Sequence, residues 1–370
     1  MNQNSKIYVA GHKGLVGSAI WKNLINRGYT NLIGKSSSEL NLLNQQDTEN
    51  FFEAEKPEYV FLAAAKVGGI IANNTYRADF IYENLRIQNN VIHNSWKYGV
   101  KKLLFLGSTC IYPKESPQPM KEDYLLTSPL EFTNEPYAIA KIAGIKMCES
   151  YNLQYDTNFI SVMPTNLYGP NDNFDLEKSH VLPALLRKIY LAKSLENNDW
   201  DAIRSDLKKR PVEGIDASNA EEEIVAILDK YGISRNNKTV TVEIWGTGKP
   251  MREFLWSEEM ADASVYLMEN TNFSDIISSM EKEKESGSIK EVRNTHINIG
   301  TGEEISIKDL ANLITKTIEF KGELVFNTDK PDGTMRKLTD VSKLHTLGWK
   351  HKIDIKQGVE KVYNWYLSEN

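Results

Sequence analysis

At 370 residues the chain exceeds what one hydrophobic core fills, so two domains, or one with a large appendage, are expected. Hydrophobic, charged and aromatic contents of 41%, 25% and 10% are those of a folded globular protein and exclude global disorder. A net charge of -6, spread along the chain, excludes an overall electrostatic footprint for nucleic acid or an anionic membrane.

The N-terminal stretch MNQNSKIYVAGHKGLVG enters a strand pattern without a basic n-region or an apolar h-region, and no window holds the roughly 18 apolar residues of a spanning helix. Only Cys110 and Cys148 occur, at a spacing that fits neither a disulfide framework nor a zinc site. No metal is expected, and a cytoplasmic, reducing location is.

Short apolar runs then alternate with helical periods. Strands are expected at Lys6 to Ala10, Asn31 to Gly34 and Tyr59 to Ala63, with helices at Val16 to Arg27 and Asp47 to Glu55. A long helix from Phe80 to Tyr98, a strand from Lys102 to Gly107, a helix from Tyr137 to Tyr151 and a strand from Asn158 to Met163 follow. This rhythm predicts an α/β fold, a doubly wound parallel Rossmann sheet over residues 1–170. Beyond Gly169 the pattern changes, and residues 171–370 are expected to form a smaller C-terminal α/β substrate domain, with segments near 253–270 and 295–300 returning to the first. Residues 195–239 and 271–294 read as insertions. The first carries an amphipathic piece, Ala220 to Lys230, with Ile224, Ile227 and Leu228 on one side, and the second, with MEKEKESGS, reads as a solvated surface excursion.

Gly11-His12-Lys13-Gly14-Leu15-Val16-Gly17 stands between the first strand and the first helix. Glycines there permit a tight turn, close approach of backbone to a pyrophosphate and tight helix packing, while the helix N-terminus offers amide donors. The spacing is G-x-x-G-x-x-G. At the end of the second strand, Ile33-Gly34-Lys35-Ser36-Ser37-Ser38 lacks the carboxylate that would hold a ribose 2'-hydroxyl. Lys13 and Lys35 suit a 2'-phosphate instead, so NADP(H) is expected.

Ser108 ends a predicted strand, on the sheet edge where ligands bind. Tyr137 and Lys141 open a helix after Pro136, and their i, i+4 spacing puts both on one face. An ammonium beside a phenol is expected to lower the Tyr137 pKa toward neutrality, letting it protonate a carbonyl oxygen as hydride arrives, with Ser108 holding the same oxygen.

With these residues, the stretches AAAKVGGIIANN, FLGSTCIYPK, VMPTNLYGPNDNF, SHVLPALLRK, WGTGKPMREFL and KPDGTMRKL make the chain resemble the extended short-chain dehydrogenases/reductases that modify nucleotide sugars. The likeness is greatest to those that epimerise and reduce GDP-4-keto-6-deoxy-D-mannose to GDP-L-fucose. That resemblance implies a GDP-sugar substrate and a second chemistry, epimerisation at C3 and C5, with Cys110 and His180 as its acid/base pair. It implies cofactor contacts along the glycine loop and at Lys35, Asn41, Ala63, Ala64, Ala65, Lys141, Pro164, Thr165, Asn166, Leu167 and His180. It implies substrate contacts at Lys188, Trp245, Arg252 and Asp332. It also implies a homodimer joined through the helices 80–98 and 137–151, where Ile81, Leu85, Ile92, Ile142, Ile145 and Met147 look surplus to a sheet-facing stripe. Where arginine is expected in the glycine loop, after the second strand and beside Arg187, the chain has Lys13, Ser37 and Lys188. Two other functions stay open: action on another nucleotide-linked 4-keto sugar such as a GDP-heptose, and a non-catalytic NADP-binding sensor.

Overall fold

Strands that are apolar on both faces can be stable only inside a sheet covered on both sides. The computed structural model describes residues 1–236, 239–283 and 291–370. In chain order its elements begin with β1 (Ile7–Ala10), α1 (Leu15–Asn26), β2 (Leu32–Ile33), α2 (Gln45–Glu55), β3 (Tyr59–Leu62), α3 (Ile70–Thr75), α4 (Arg77–Lys97), β4 (Lys102–Leu106), α5 (Glu135–Tyr155) and β5 (Phe159–Pro164). Next come β6 (Asn166–Tyr168), α6 (Val181–Glu196), α7 (Trp200–Lys209), α8 (Glu221–Lys230), β7 (Ile233–Arg235), β8 (Val240–Trp245), β9 (Met251–Arg252), β10 (Phe254–Trp256), α9 (Ser257–Asn270) and α10 (Phe273–Glu283). The chain ends with β11 (Ile297–Ile299), β12 (Ile305–Ser306), α11 (Ile307–Ile318), β13 (Glu323–Asn327), β14 (Arg336–Lys337), α12 (Ser342–Thr346) and α13 (Ile355–Glu369).

These residues form two compact units, Met1–Leu167 with Glu253–Glu303 and Leu338–Lys352, and Tyr168–Arg252 with Glu304–Lys337 and Ile353–Asn370. In the first unit six strands form a parallel sheet in the order β11-β5-β4-β3-β1-β2. Strand order reverses at β1, between β2 and β3, and the carboxyl ends of strands at such a point form a ligand crevice. Alternate residues feed opposite cores. Ile7, Val9, Phe61, Leu104 and Ile160 pack with α1 and α9, while Tyr8, Val60, Leu103, Phe105 and Phe159 pack with α2, α4 and α5.

Three of the six residues expected at a dimer surface, Ile92, Ile142 and Ile145, belong to this second core. They are interior because α4 and α5 pack on the sheet and on each other, with Gln88 Nε2 donating to the Ala140 carbonyl at 2.6 Å. The exposed apolar side chains of α4 and α5 are instead Tyr82, Ile139, Leu153 and Tyr155.

The excursion expected over 271–294 is in its first half the helix α10, whose Ile276 and Met280 are buried in the first core. Burying two such side chains is worth roughly 3–6 kcal/mol, too much for a solvated decoration. Residues 284–290 of that stretch lie outside the described residues, as do 237 and 238.

In the second unit β7, β8 and β13 form a sheet, with β13 parallel and β7 antiparallel to β8. The stretch 195–239 supplies much of this unit's interior: Ile203 and Leu207 on α7, Ile224, Ile227 and Leu228 on α8, and Ile233 on β7 are all buried. Its charges are also structural. Arg187 on α6 is 1% exposed, with Nε 2.9 Å and one terminal nitrogen 2.8 Å from Asp206 Oδ2 on α7. The Tyr366 hydroxyl of α13 donates to the same carboxylate.

Candidate active site

Gly11 has φ +82°, and a Cβ there would lie 2.8 Å from the Ala64 nitrogen, so the end of β1 and the end of β3 touch only because the residue is glycine. A Cβ on Gly17 would come within 2.1 Å of the Gly11 carbonyl oxygen. Gly14 occupies the N-cap of α1 with no side-chain cap and no acidic residue in the first turn. That leaves first-turn amides and the positive end of the helix dipole for an anion, and the cradle fits a dinucleotide pyrophosphate.

The turn after β2 abuts this loop, since a Cβ on Gly34 would meet the His12 ring at 2.5 Å. The His12 ring packs 5.4 Å from that of Trp21, and burial together with Lys13 lowers its pKa, keeping it neutral. Lys13 is exposed and Lys35 half-exposed, while the Asn41 side chain accepts from the Leu43 amide at 3.1 Å. One group near Lys13 and Lys35 was missed because only the turn brings it back: the Glu39 carboxylate, just past the serine run, folds onto Ser36.

Gly107 directly follows β4, where a Cβ would collide with the Met163 side chain. Ser108 follows in extended backbone, capping a 3-10 turn over Thr109–Ile111 by accepting from the Cys110 amide at 3.4 Å. From α5, Lys141 donates to the Leu106 carbonyl at 2.8 Å and stands 5.7 Å from the Tyr137 ring centroid. Gly144, one turn further, lets α5 lie against Phe105, which a Cβ would meet at 2.4 Å. Ser108, Cys110, Tyr137 and Lys141 are thus gathered at the end of β4 and the start of α5.

Electrostatically the group differs from expectation. Burial raises the Tyr137 pKa, and the nearby Cys110 raises it further, so neutral phenol is the resting form. Burial lowers Lys141 to about 8, opposed by attraction to Cys110. The expected depression of the phenol does not appear because desolvation of the phenolate outweighs a lysine that is itself poorly solvated.

The segments expected beside the cofactor lie at the ends of β3 and β5. Ala63 donates from its amide to the Ala10 carbonyl at 3.0 Å, Thr165 likewise to Ile299 at 2.9 Å, and Asn166 Nδ2 to the Glu253 carbonyl at 2.9 Å. Glu253 is fully buried, and its carboxylate accepts from the Thr301, Gly302 and Thr339 amides at 2.6, 2.8 and 2.9 Å. It is a hub that motif reading missed, although a glutamate followed by Phe-Leu-Trp was a visible signal of a satisfied buried charge. A second such group anchors the Cys110 turn: the Tyr112 hydroxyl donates to Asn298 Oδ1 and lies 3.1 Å from His296 Nε2, all three buried.

In the second unit, Lys188 Nζ donates to the Glu243 carbonyl of β8 at 3.3 Å, two residues before the exposed ring of Trp245. Asp332 accepts from the Thr247 amide at 2.9 Å and from its hydroxyl at 2.7 Å. Arg252 donates to the Met251 and Thr334 carbonyls at 2.7 and 2.6 Å. Asp332 and Arg252 thus tie the turn after Trp245 to the segment 332–334, the Asp332 carboxylate being held by Thr247, while Lys188 contacts β8 two residues before that ring. His180, exposed as a residue, stands at the N-cap of α6 without a side-chain capping bond, and desolvation by the surrounding protein lowers its pKa.

Residues 7–205 match the NAD dependent epimerase/dehydratase family. GDP-L-fucose synthase 1 of Arabidopsis thaliana is 49% identical over 366 residues, covering 99% of this chain and 94% of that one. Among solved structures, a GDP-6-OMe-4-keto-L-xylo-heptose reductase from C. jejuni is 50% identical with a TM-score of 0.90, covering 100% of this chain and 99% of that one. A GDP-mannoheptose C4 reductase from Campylobacter jejuni with NADP bound is 50% identical with a TM-score of 0.85, covering 99% of each chain.

Proposed function

This chain belongs to the NAD dependent epimerase/dehydratase family, and we propose that it is an NADPH-dependent enzyme that epimerises GDP-4-keto-6-deoxy-D-mannose at C3 and C5 and reduces it at C4 to GDP-L-fucose. The observation that carries this reading is that Cys110, on the 3-10 turn capped by Ser108 just after β4, follows the same strand end to which Lys141 is tied beside Tyr137, a candidate carbon base next to the reductive pair.

NADPH, when bound, supplies hydride to the C4 carbonyl, and the glycine loop with Lys13 and Lys35 would hold its phosphates. Tyr137, a neutral phenol at rest, donates the proton that the C4 oxygen takes up, and Ser108 donates a hydrogen bond to that oxygen. Lys141 keeps positive charge beside the phenol and stabilises the phenolate left behind. For epimerisation, hydrogens α to the ketone are acidified by enolate formation. Cys110 as thiolate removes each, and His180 returns a proton to the opposite face. Lys188, Arg252 and the Trp245 ring suit a diphosphate and a guanine, by charge and by stacking, and Asp332 holds their turn.

A homodimer is supported by Tyr82 and Ile139, large apolar side chains left exposed on α4 and α5. No helix among the described residues is long and apolar enough to cross a membrane. A cytoplasmic setting would keep the Cys110 thiol reduced, as this chemistry requires.

The test is incubation of the purified chain with NADPH and a panel of GDP-linked 4-keto sugars, followed by product identification. GDP-L-fucose from the 6-deoxy substrate at the highest kcat/KM supports the proposal. A second reading, a GDP-heptose substrate, is favoured by the near-complete two-way coverage of the heptose reductase structures, and a clear preference for a 4-keto heptose would replace the first with it.

A further inference from the structure

The turn that follows β2 holds a negative charge where the cofactor's phosphate is expected. Ser36 donates from its amide to Glu39 Oε2 at 2.7 Å, and its hydroxyl donates to the same oxygen. Two donors of Ser36 thus converge on one exposed carboxylate, and the Ser38 hydroxyl lies 3.0 Å from the Ser36 hydroxyl behind them. Lys13 from the glycine loop and Lys35 are close enough to favour its charged form, after the larger effect of the Ser36 hydrogen bonds. The contact of His12 with Gly34 brings loop and turn together.

In a fold of this type the adenosine ribose lies at the end of the second strand, where a carboxylate accepts from a 2'-hydroxyl and cationic or hydroxyl donors receive a 2'-phosphate. Here both kinds of group are present on one turn. A phosphate of about two negative charges needs the Ser36 donors and the two lysines, and Glu39 occupies the Ser36 donors with its charge near both lysines. A ribose hydroxyl needs only the carboxylate.

We propose that Glu39 is a specificity-setting residue: it occupies the 2'-phosphate donors of Ser36, is displaced when NADP(H) binds, and accepts the 2'-hydroxyl when NAD(H) binds, so that its charge narrows the preference between the two. The proposal rests on the NADPH reading above.

Isothermal titration of the full chain with NADP+ and NAD+ tests it. In Glu39→Gln the ratio of the two dissociation constants shifts toward NADP+ by roughly two- to fivefold, the size of one exposed charge contact, through tighter NADP+ and weaker NAD+ binding. In Ser36→Ala the ratio moves the other way, through weaker NADP+ binding alone. An unchanged ratio in Glu39→Gln, or loss of NADP+ affinity in it, makes Glu39 a turn cap and overturns the proposal. If the unsubstituted chain binds neither nucleotide, the cofactor reading fails first and takes this assignment with it. If it binds NADP+ but the ratio is unmoved, only this assignment fails.

Discussion

Lys141 stands 5.7 Å from the centroid of the Tyr137 ring while its own hydrogen bond goes to the Leu106 carbonyl. It is therefore a fixed charge beside the phenol, tied to the end of β4. The neutral Tyr137 is the proton donor. Tyr137→Phe removes only the transferable proton and should lower kcat for NADPH oxidation by about 10²- to 10⁴-fold, with the NADPH dissociation constant unchanged. Near-normal turnover would remove Tyr137 from this role.

The pH dependence follows from Lys141, whose pKa burial lowers to about 8. Above that pH the free enzyme loses the charge that stabilises the phenolate, so kcat/KM for reduction should fall on the alkaline side. Stability should move oppositely: the unfolded lysine keeps its proton to about pH 10.4, so folding releases a proton and the native state gains as pH rises from about 8. A pH profile of kcat/KM and melting curves over the same range check both signs. Lys141→Met should flatten the stability trend.

Gly17→Ala places a methyl group 2.1 Å from the Gly11 carbonyl oxygen, which only backbone movement can relieve. Overpacking of that kind costs about 1–3 kcal/mol, and the loop that shifts is the pyrophosphate cradle. NADPH affinity should fall by roughly tenfold or more, measured by titration.

What was legible in the sequence was periodic or punctuated. Alternate burial of Tyr8 and Val9, or of Phe61 and Leu62, serves two cores of one sheet, and that requirement left uniformly apolar strands that could be read directly. The glycine loop was legible because Gly11 and Gly17 stand where a Cβ would collide with backbone. Contacts that depend on chain reversal were not. Glu39 folds back on Ser36 inside a polar run that looked free of a relevant carboxylate, and α10 hid two core residues next to a lysine-glutamate stretch. Ile92, Ile142 and Ile145 looked surplus because a helix in a doubly wound fold packs on neighbouring helices as well as on the sheet. The sign of the Tyr137 shift also escaped, since spacing reports the lysine but not the desolvation that opposes it.

Asp206→Ala tests whether the stretch 195–239 is interior framework. Arg187 would be left charged, buried and without its carboxylate, and breaking such a pair costs about 3–5 kcal/mol. A melting temperature lowered by several degrees is expected. An unchanged one would contradict the framework role of this stretch.

The claim that one site joins two chemistries is tested most directly by Cys110→Ser, assayed in heavy water with NADPH and GDP-4-keto-6-deoxy-D-mannose. A serine hydroxyl is far too weak an acid to replace a thiolate near neutral pH, so deuterium uptake at C3 and C5 should stop. Ser108, Tyr137 and Lys141 remain, and slow reduction of the unepimerised ketone to a GDP-6-deoxyhexose other than GDP-L-fucose is the predicted product. Deuterium uptake at the unsubstituted rate, with GDP-L-fucose still formed, would show Cys110 to be a packing residue and would contradict the account.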